Sequence, residues 1–246
     1  MKNNEFYSSL SENYDEMINF DKSVENKSKL LGNIFSPENM SCADIGSGTG
    51  VDSIALSKLG VKTDGFEPSI KMIGKAEINV RKFSQSVKFF NYSLDEIPPE
   101  FDEKYDGVIC LGNVLANIPN EKLNTSLKKI SNLLKKDGMF LVQILNYTKI
   151  LNEKERIVNI TQNGGKTFIR FYDFYKDRLQ FNILIYETQN PNNRKLISTP
   201  IFPHEKATVA KVLELQSKIE FFGSLKMDPF DENNSSDLVI LGKKNN

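Results

Sequence analysis

Ala43-Asp-Ile-Gly-Ser-Gly-Thr-Gly50 is the stretch on which the reading of this chain turns. An apolar strand, Met40 to Ile45, runs into glycines at 46, 48 and 50, and a helical pattern from Val51 to Leu59 follows directly. Glycines at a strand-to-helix turn admit positive φ and let a ligand approach the main chain beside the orphan N–H groups of the helix. Two ligand chemistries use this geometry. Dinucleotide binding asks for G-x-G-x-x-G. Counted from Gly46, its third glycine falls on Val51, a β-branched residue where close packing wants Gly or Ala. The other pattern has an acid two residues before the first glycine and then G-x-G-x-G. Asp44, Gly46, Gly48 and Gly50 match it. An acid there repels a pyrophosphate and suits a nucleoside cofactor with a cationic amino-acid end.

The surroundings extend this reading. Val61 to Phe66 is a second strand, and Glu67 at its end lies 17 residues after Gly50. A carboxylate near there accepts hydrogen bonds from ribose hydroxyls and disfavours a 2′-phosphate. S-adenosylmethionine, with its sulfonium and ammonium, fits an acid-bearing loop better than NAD does. Ser69 can cap a helix to Phe83. Val87 to Phe90, Tyr105 to Leu111 and Met139 to Leu145 read as strands, and a helix from Glu121 to Lys135 stops at Asp137-Gly138. Strand–helix alternation from Met40 to Leu145 implies a parallel sheet with helices on both faces. Before it, the chain to Phe35 reads as two helices. After it, Ile157 to Ile160, Thr167 to Tyr175, Leu179 to Thr188 and Lys195 to Phe202 read as antiparallel strands, with turns at Asn163-Gly-Gly, Lys176-Asp and Asn190-Pro-Asn-Asn. A helix from Glu205 to Lys218 leads to a closing strand pair, Lys218 to Leu225 and Leu238 to Leu241. The expected organisation is residues 1–150 for the N-terminal helices and cofactor-binding core, 151–203 for an antiparallel β insertion acting as a lid, and 204–246 for the return to the core sheet.

Composition narrows the function classes. The 246 residues carry 32 Lys+Arg against 32 Asp+Glu, which disfavours a dedicated nucleic-acid binder. One histidine, His204, and two cysteines, Cys42 and Cys110, leave no metal cluster and no disulfide scaffold. Both cysteines lie in apolar runs and are expected as buried thiols. The N-terminal stretch lacks a signal-peptide apolar core, and no run is long enough for a membrane span. The expectation is a cytoplasmic protein with no membrane partner, a monomer or homodimer.

Gly48-Thr-Gly-Val-Asp-Ser-Ile54, Val108-Ile-Cys-Leu-Gly-Asn113 and Asn146-Tyr147 resemble the class I S-adenosylmethionine-dependent methyltransferases, and within them the glycine N-methyltransferase group. The resemblance runs from about Lys22 to Leu151. It implies an α/β, Rossmann-like fold with a seven-stranded, mostly parallel sheet and an antiparallel β insertion after the fifth strand. It also implies methyl transfer to a small-molecule acceptor, an amine or a hydroxyl, leaving S-adenosylhomocysteine. The implied cofactor contacts are Asp44, Gly46, Ser47 and Gly48 for the methionine moiety, Lys22 for its carboxylate and Glu67 for the ribose. Pro68, Met72, Ser93 and Leu94 would flank the adenine, with Leu111 and Gly112 beside the sulfonium. Asn113, Asn146, Tyr147 and Tyr14 are the implied acceptor-orienting residues. Many relatives carry Asp where this chain has Ser93. The glycine-methylating enzymes carry, directly before Asn-Tyr, an Arg that clamps the glycine carboxylate. This chain has Leu145 there, so glycine is not the expected substrate unless Arg170 or Arg178 reaches in from the insertion. Two other classes compete: a protein that binds S-adenosylmethionine without catalysis, and a nucleic-acid methyltransferase.

Overall fold

A computed structural model describes residues 3–35, 40–214 and 217–245. Five strands are parallel: β1 (Ser41–Ile45), β2 (Lys62–Phe66), β3 (Val87–Phe90), β4 (Tyr105–Cys110) and β5 (Leu134–Leu145). With β10 (Ser217–Phe222) and β11 (Asp237–Lys244) they form one sheet in the order β10-β11-β5-β4-β1-β2-β3. β11 runs antiparallel to β5, and β10 antiparallel to β11. The strand order reverses between β1 and β4. In an open α/β sheet that switch point opens a crevice at the carboxyl ends of the strands.

Both faces of this sheet are covered, so β1 and β4 are buried at all but one position each rather than at alternate ones. Ala43, Ile45, Val108, Cys110, Phe140 and Val142 pack under α5 (Asn120–Leu133) and α7 (Lys206–Leu213). Residues of opposite parity, Cys42, Ile109 and Leu141, pack with Leu31 of α2 (Phe20–Gly32) and with Ala55 and Leu56 of α3 (Val51–Lys58). Cys42 and Cys110 are buried free thiols, as expected. α4 (Ile70–Lys82) is capped by Ser69, whose hydroxyl accepts from the Met72 N–H at 3.4 Å.

A second sheet, wholly antiparallel, has the order β6-β7-β8-β9 and comprises β6 (Ile157–Asn163), β7 (Lys166–Phe174), β8 (Leu179–Glu187) and β9 (Asn190–Ile201). Helix α1 (Asn3–Ile18) lies on its inner face, where Phe6, Leu10 and Met17 pack with Phe168, Ile183, Ile185 and Ile197. The same helix is tied to the first sheet's periphery. Ser8 and Ser69 hydroxyls meet at 2.9 Å, and the Asn79 amide donates to Asp15 at 3.0 Å.

Four local expectations change. The helix expected to reach Lys135 ends at Leu133, and β5 starts at Leu134. Asp137-Gly138 is an irregularity inside a long strand, with Asp137 at φ 62° and the pairing jumping from Tyr105↔Leu134 to Gly107↔Met139. Lys135 is held in that strand by Asp106, 2.9 Å away. Asn190-Pro-Asn-Asn is not the turn. Thr188 and Gln189 make it, and the extra residues bulge into β9, an edge strand where proline is tolerated. The helix expected from Glu205 ends at Leu213. An unexpected short helix, α6 (Tyr147–Glu153), follows β5 and is capped by Asn146, whose side-chain oxygen accepts from the Lys149 N–H. No described helix is long and apolar enough to cross a membrane. Among the described residues, no His/Cys/Asp/Glu group suits a metal.

Candidate active site

The glycine loop occupies the switch point. Gly46, Gly48 and Gly50 have φ of +70°, +55° and +93°, the left-handed region that favours glycine. At Gly46 space is also the limit, since a Cβ there would stand 2.4 Å from Cγ2 of Val114. Val114 begins a 3-10 turn, Val114–Asn117, after β4, so Gly46 lets the β1 and β4 loops close on each other. The loop is anchored from β2. Gly46 and Ser47 N–H groups donate to the Phe66 carbonyl at 2.8 and 3.1 Å.

Glu67 joins two loops. Its carboxylate accepts from the Gly48 N–H at 3.0 Å and the Ser69 N–H at 2.8 Å while 6% exposed. A carboxylate offers about four lone-pair sites, so two remain for hydroxyl donors. Burial pushes its pKa up from 4.5 to about 7, and the two backbone donors only partly offset this.

A cavity of about 610 Å³ opens over these groups. Of the residues expected at the cofactor, Gly46, Ser47, Gly48, Glu67, Pro68, Met72, Ser93, Leu94, Leu111 and Gly112 all line it. Its size is within the range of sites that enclose a nucleoside-sized ligand. Two buried hydroxyls in its wall, Ser47 Oγ and Thr49 Oγ1, have no hydrogen-bond partner among the described residues, so the wall holds unused polar capacity of the sort a polar ligand satisfies.

Two expected cofactor residues are not part of this wall. Asp44 is 2% exposed, lies outside the lining and accepts from the Ser53 hydroxyl at 2.6 Å; burial first, then nearby Asp52, raises its pKa. It braces β1 against α3 from beneath. The carboxylate that does reach the cavity here is Asp52, held by Lys27 at 2.9 Å. Lys22 is exposed and away from the cavity, because Lys27, five residues on, lies about 140° further round α2. In the β3 loop, the Ser93 hydroxyl sits 2.8 Å from Asp95 and 2.5 Å from Glu96 in a capping box. Asp95 also lines the cavity, and its bond to Lys122 holds its pKa down. A carboxylate thus stands two residues after the position where many relatives carry one.

A second cavity, of about 350 Å³, is adjacent. Tyr7, Tyr14, Gly112 and Asn117 line both. The second is walled by α1, the end of β5 and the inner face of the antiparallel sheet, and Leu145 and Arg170 are both in its lining. Tyr14 and Asn113 reach it as expected. Asn113, however, is committed internally: its amide donates to the Tyr147 hydroxyl at 2.8 Å and its oxygen accepts from the Leu145 N–H at 3.1 Å. Tyr147 is buried behind Asn113 and outside the lining. Asn146 faces the other way, donating to the Glu232 and Ser235 carbonyls at 2.8 and 3.0 Å. Its role is to fix the β5–α6 turn, and the doublet Asn146-Tyr147 supports the site without touching the cavity.

Burial pushes the Tyr7 phenol up to about 12 and raises Tyr14 further, so both remain hydrogen-bond donors at neutral pH. His204 is buried, and its Nε2–H donates to the Ile118 carbonyl at 2.8 Å, outside both cavities. Arg178 pairs with Asp177 and stacks on Tyr175 away from both. Tyr7, Asn117, Asp52 and Asp95 were not singled out by sequence. Only the helical spacing of Tyr7 with Tyr14, a full two turns, gave a sign that they share a face.

Comparison with known proteins agrees with this architecture. A family model described as "Methyltransferase domain" matches residues 42–138. The glycine/sarcosine N-methyltransferase of Aphanothece halophytica is 26% identical over 152 residues, 61% of this chain and 57% of that protein. The glycine N-methyltransferase of Rattus norvegicus is 33% identical over 144 residues, 53% of this chain and 49% of that protein. The chain thus spans about half the length of the curated relatives it matches. Among solved structures, an S-adenosylmethionine-dependent methyltransferase from Clostridium acetobutylicum superposes with a TM-score of 0.77 at 17% identity, covering 98% of this chain and 99% of that one. The fold is that of the class I S-adenosylmethionine-dependent methyltransferases: a seven-stranded, mostly parallel sheet with an antiparallel β insertion.

Proposed function

We propose that this protein is an S-adenosylmethionine-dependent methyltransferase acting on a small-molecule acceptor. The observation that carries the reading is a pair of neighbouring cavities whose walls share Tyr7, Tyr14, Gly112 and Asn117. One is built on the glycine loop and Glu67; the other is walled by α1, the end of β5 and the second sheet. When bound, S-adenosylmethionine supplies an electrophilic methyl group on a sulfonium. Glu67 would hold the ribose hydroxyls, Pro68, Met72 and Leu94 the adenine faces, and Ser93 or Asp95 its amino group. Leu111 and Gly112 would mark the passage to the acceptor cavity. The chain's contribution is positioning and exclusion of water. α1 and residues 151–203 would form the lid, and the Tyr7 and Tyr14 phenols would orient the acceptor by donating hydrogen bonds.

No Asp, Glu, His or Lys lines the acceptor cavity among the described residues. With no base in the wall, the reading favours an acceptor that arrives as a neutral nucleophile, an amine before an alcohol. Glycine is not assigned. Leu145 offers no donor; Arg170 does line the cavity, but a two-carbon amino acid would leave most of that largely apolar 350 Å³ space unfilled.

Titration calorimetry with S-adenosylhomocysteine and NAD, followed by labelled-methyl transfer to a panel of amines and alcohols, tests this. S-adenosylhomocysteine should bind, NAD should not, and label should move to at least one acceptor. Affinity for NAD without affinity for S-adenosylhomocysteine overturns the reading. Tight cofactor binding with no transfer across the panel favours a binding protein.

A further inference from the structure

The inner face of the second sheet carries one residue that packing does not explain. Alternate residues of a strand share a face, so Phe168, Arg170 and Tyr172 of β7 point the same way. Phe168 and Tyr172 are buried, as is Ile183, the cross-strand partner of Arg170 on β8. An alkyl side chain would complete this apolar row. A cation among such neighbours is costly unless something pairs with it.

Two arginines beside this sheet are paired, Arg156 with Asp173 and Arg178 with Asp177, and Arg194 of β9 is exposed to solvent. Arg170 has no carboxylate partner among the described residues. Its one side-chain bond is from Nε to the Asn159 side-chain oxygen at 2.6 Å. That bond fixes the guanidinium plane and leaves both Nη groups without a partner among the described residues. Arg170 lines the 350 Å³ cavity, and no carboxylate, lysine or histidine accompanies it there. The groups that face it in the lining are neutral: the Tyr7 and Tyr14 phenols of α1, the Asn113, Asn117 and Gln143 amides, and Tyr172.

We propose that Arg170 is the anion-binding residue of the acceptor cavity, and that the acceptor carries one oxyanion, a carboxylate or a phosphate, on an apolar body. This builds on the methyltransferase reading by naming the acceptor's class. The planar guanidinium offers two parallel donors, which match either oxyanion. The apolar lining, from Phe6 and Leu10 of α1 to Phe181 and Ile201, takes the body. The remaining nucleophile would lie toward Gly112, which lines both cavities.

The test separates the proposal from its foundation. S-adenosylhomocysteine is titrated first, by calorimetry, into wild type and into Arg170→Gln, Arg170→Lys and Arg178→Gln; this reads the cofactor site and confirms that each variant is folded. Then 3-phenylpropanoate, phenyl phosphate and neutral 3-phenylpropanamide are titrated at saturating S-adenosylhomocysteine. If the cofactor does not bind, the same three probes are titrated into cofactor-free protein, so the anion preference is still measured. At least one anion should bind wild type tenfold or more tightly than the amide. Arg170→Gln should abolish that preference, Arg170→Lys should keep part of it, and Arg178→Gln should leave it intact. The better of the two anions identifies the oxyanion. Equal binding of anions and amide to wild type, or an anion preference that survives Arg170→Gln, overturns the proposal.

Discussion

Replacing Glu67 with glutamine should remove this residue's share of the stability that the cofactor-free protein loses between pH 5 and 8, while weakening its hold on the cofactor. The buried carboxyl titrates at about 7 instead of 4.5. A group whose folded pKa is raised contributes stability that is fully present below the unfolded value and is lost as pH climbs through the folded one. Here the window is pH 4.5 to 7, and at 1.36 kcal/mol per unit the loss is about 3 kcal/mol. Glutamine does not titrate, but its NH₂ replaces one of the two oxygens that accept from Gly48 and Ser69, so one backbone N–H loses its acceptor at every pH. The variant should therefore start behind wild type at pH 5 and gain about 2.5 kcal/mol on it by pH 8. Comparing the pair cancels the groups that do not feel Glu67; Asp44, whose pKa the Glu67 charge helps to raise, shifts down a little in the variant.

Affinity should move oppositely. The ionised carboxylate, with two lone-pair sites already given to Gly48 and Ser69, keeps two for the ribose. The amide presents an NH₂ where one of those acceptors was. Losing a hydrogen bond to a charged group costs about 1.5–3 kcal/mol, roughly 10- to 150-fold in Kd for S-adenosylhomocysteine. Chemical denaturation from pH 5 to 8 and calorimetry at pH 8 measure the two effects. Wild-type affinity in the folded variant, or the same pH slope of stability in both proteins, would refute the reasoning.

Gly46→Ala should destabilise the fold by about 2 kcal/mol or more, because its Cβ meets Val114 at a positive φ; adding Val114→Ala should recover part of the loss in thermal denaturation, and no recovery would exclude the steric account. Leu145→Arg should place a second guanidinium beside Arg170 in the wall of the acceptor cavity, fill part of its volume and raise labelled-methyl transfer to glycine several-fold, provided S-adenosylhomocysteine affinity shows the variant is folded; unchanged transfer would mean that neither the position of the anchor nor the excess space is what excludes glycine.

The first sheet was legible because most of its strands carry apolar runs that end in glycine, proline or a charged turn. Its glycine loop was legible because three positive-φ positions in five residues are met at least cost by glycines. Asp44 shows the limit. Its spacing from Gly46 marks the motif correctly, but a strand alternates faces, and nothing in the sequence says which face the cavity is on. Asn146 shows another. An amide at a strand end looks the same in sequence whether it meets a ligand or caps the next helix, and α6 was too short to leave a periodicity. The acceptor cavity was out of reach for a different reason: α1, the β5 end and all four strands of the second sheet meet there from segments far apart in the chain, and no local pattern encodes that meeting.

Helix α1 walls both cavities, through Tyr7 and Tyr14, and its hold on the rest of the protein is mostly a handful of polar ties and one apolar stripe. Ligands bound in both cavities would share a single mechanical element, and any ordering of it by one would spare the other that entropy. Such sharing is cooperativity without any change of shape, and it must be reciprocal. Whatever factor S-adenosylhomocysteine adds to the affinity for 3-phenylpropanoate, 3-phenylpropanoate must return to S-adenosylhomocysteine. A coupling factor of one in calorimetry would mean that α1 is already fully settled before either arrives. A factor above one would make the order of addition in turnover a property of this helix, with the cofactor preparing the chamber that its partner enters.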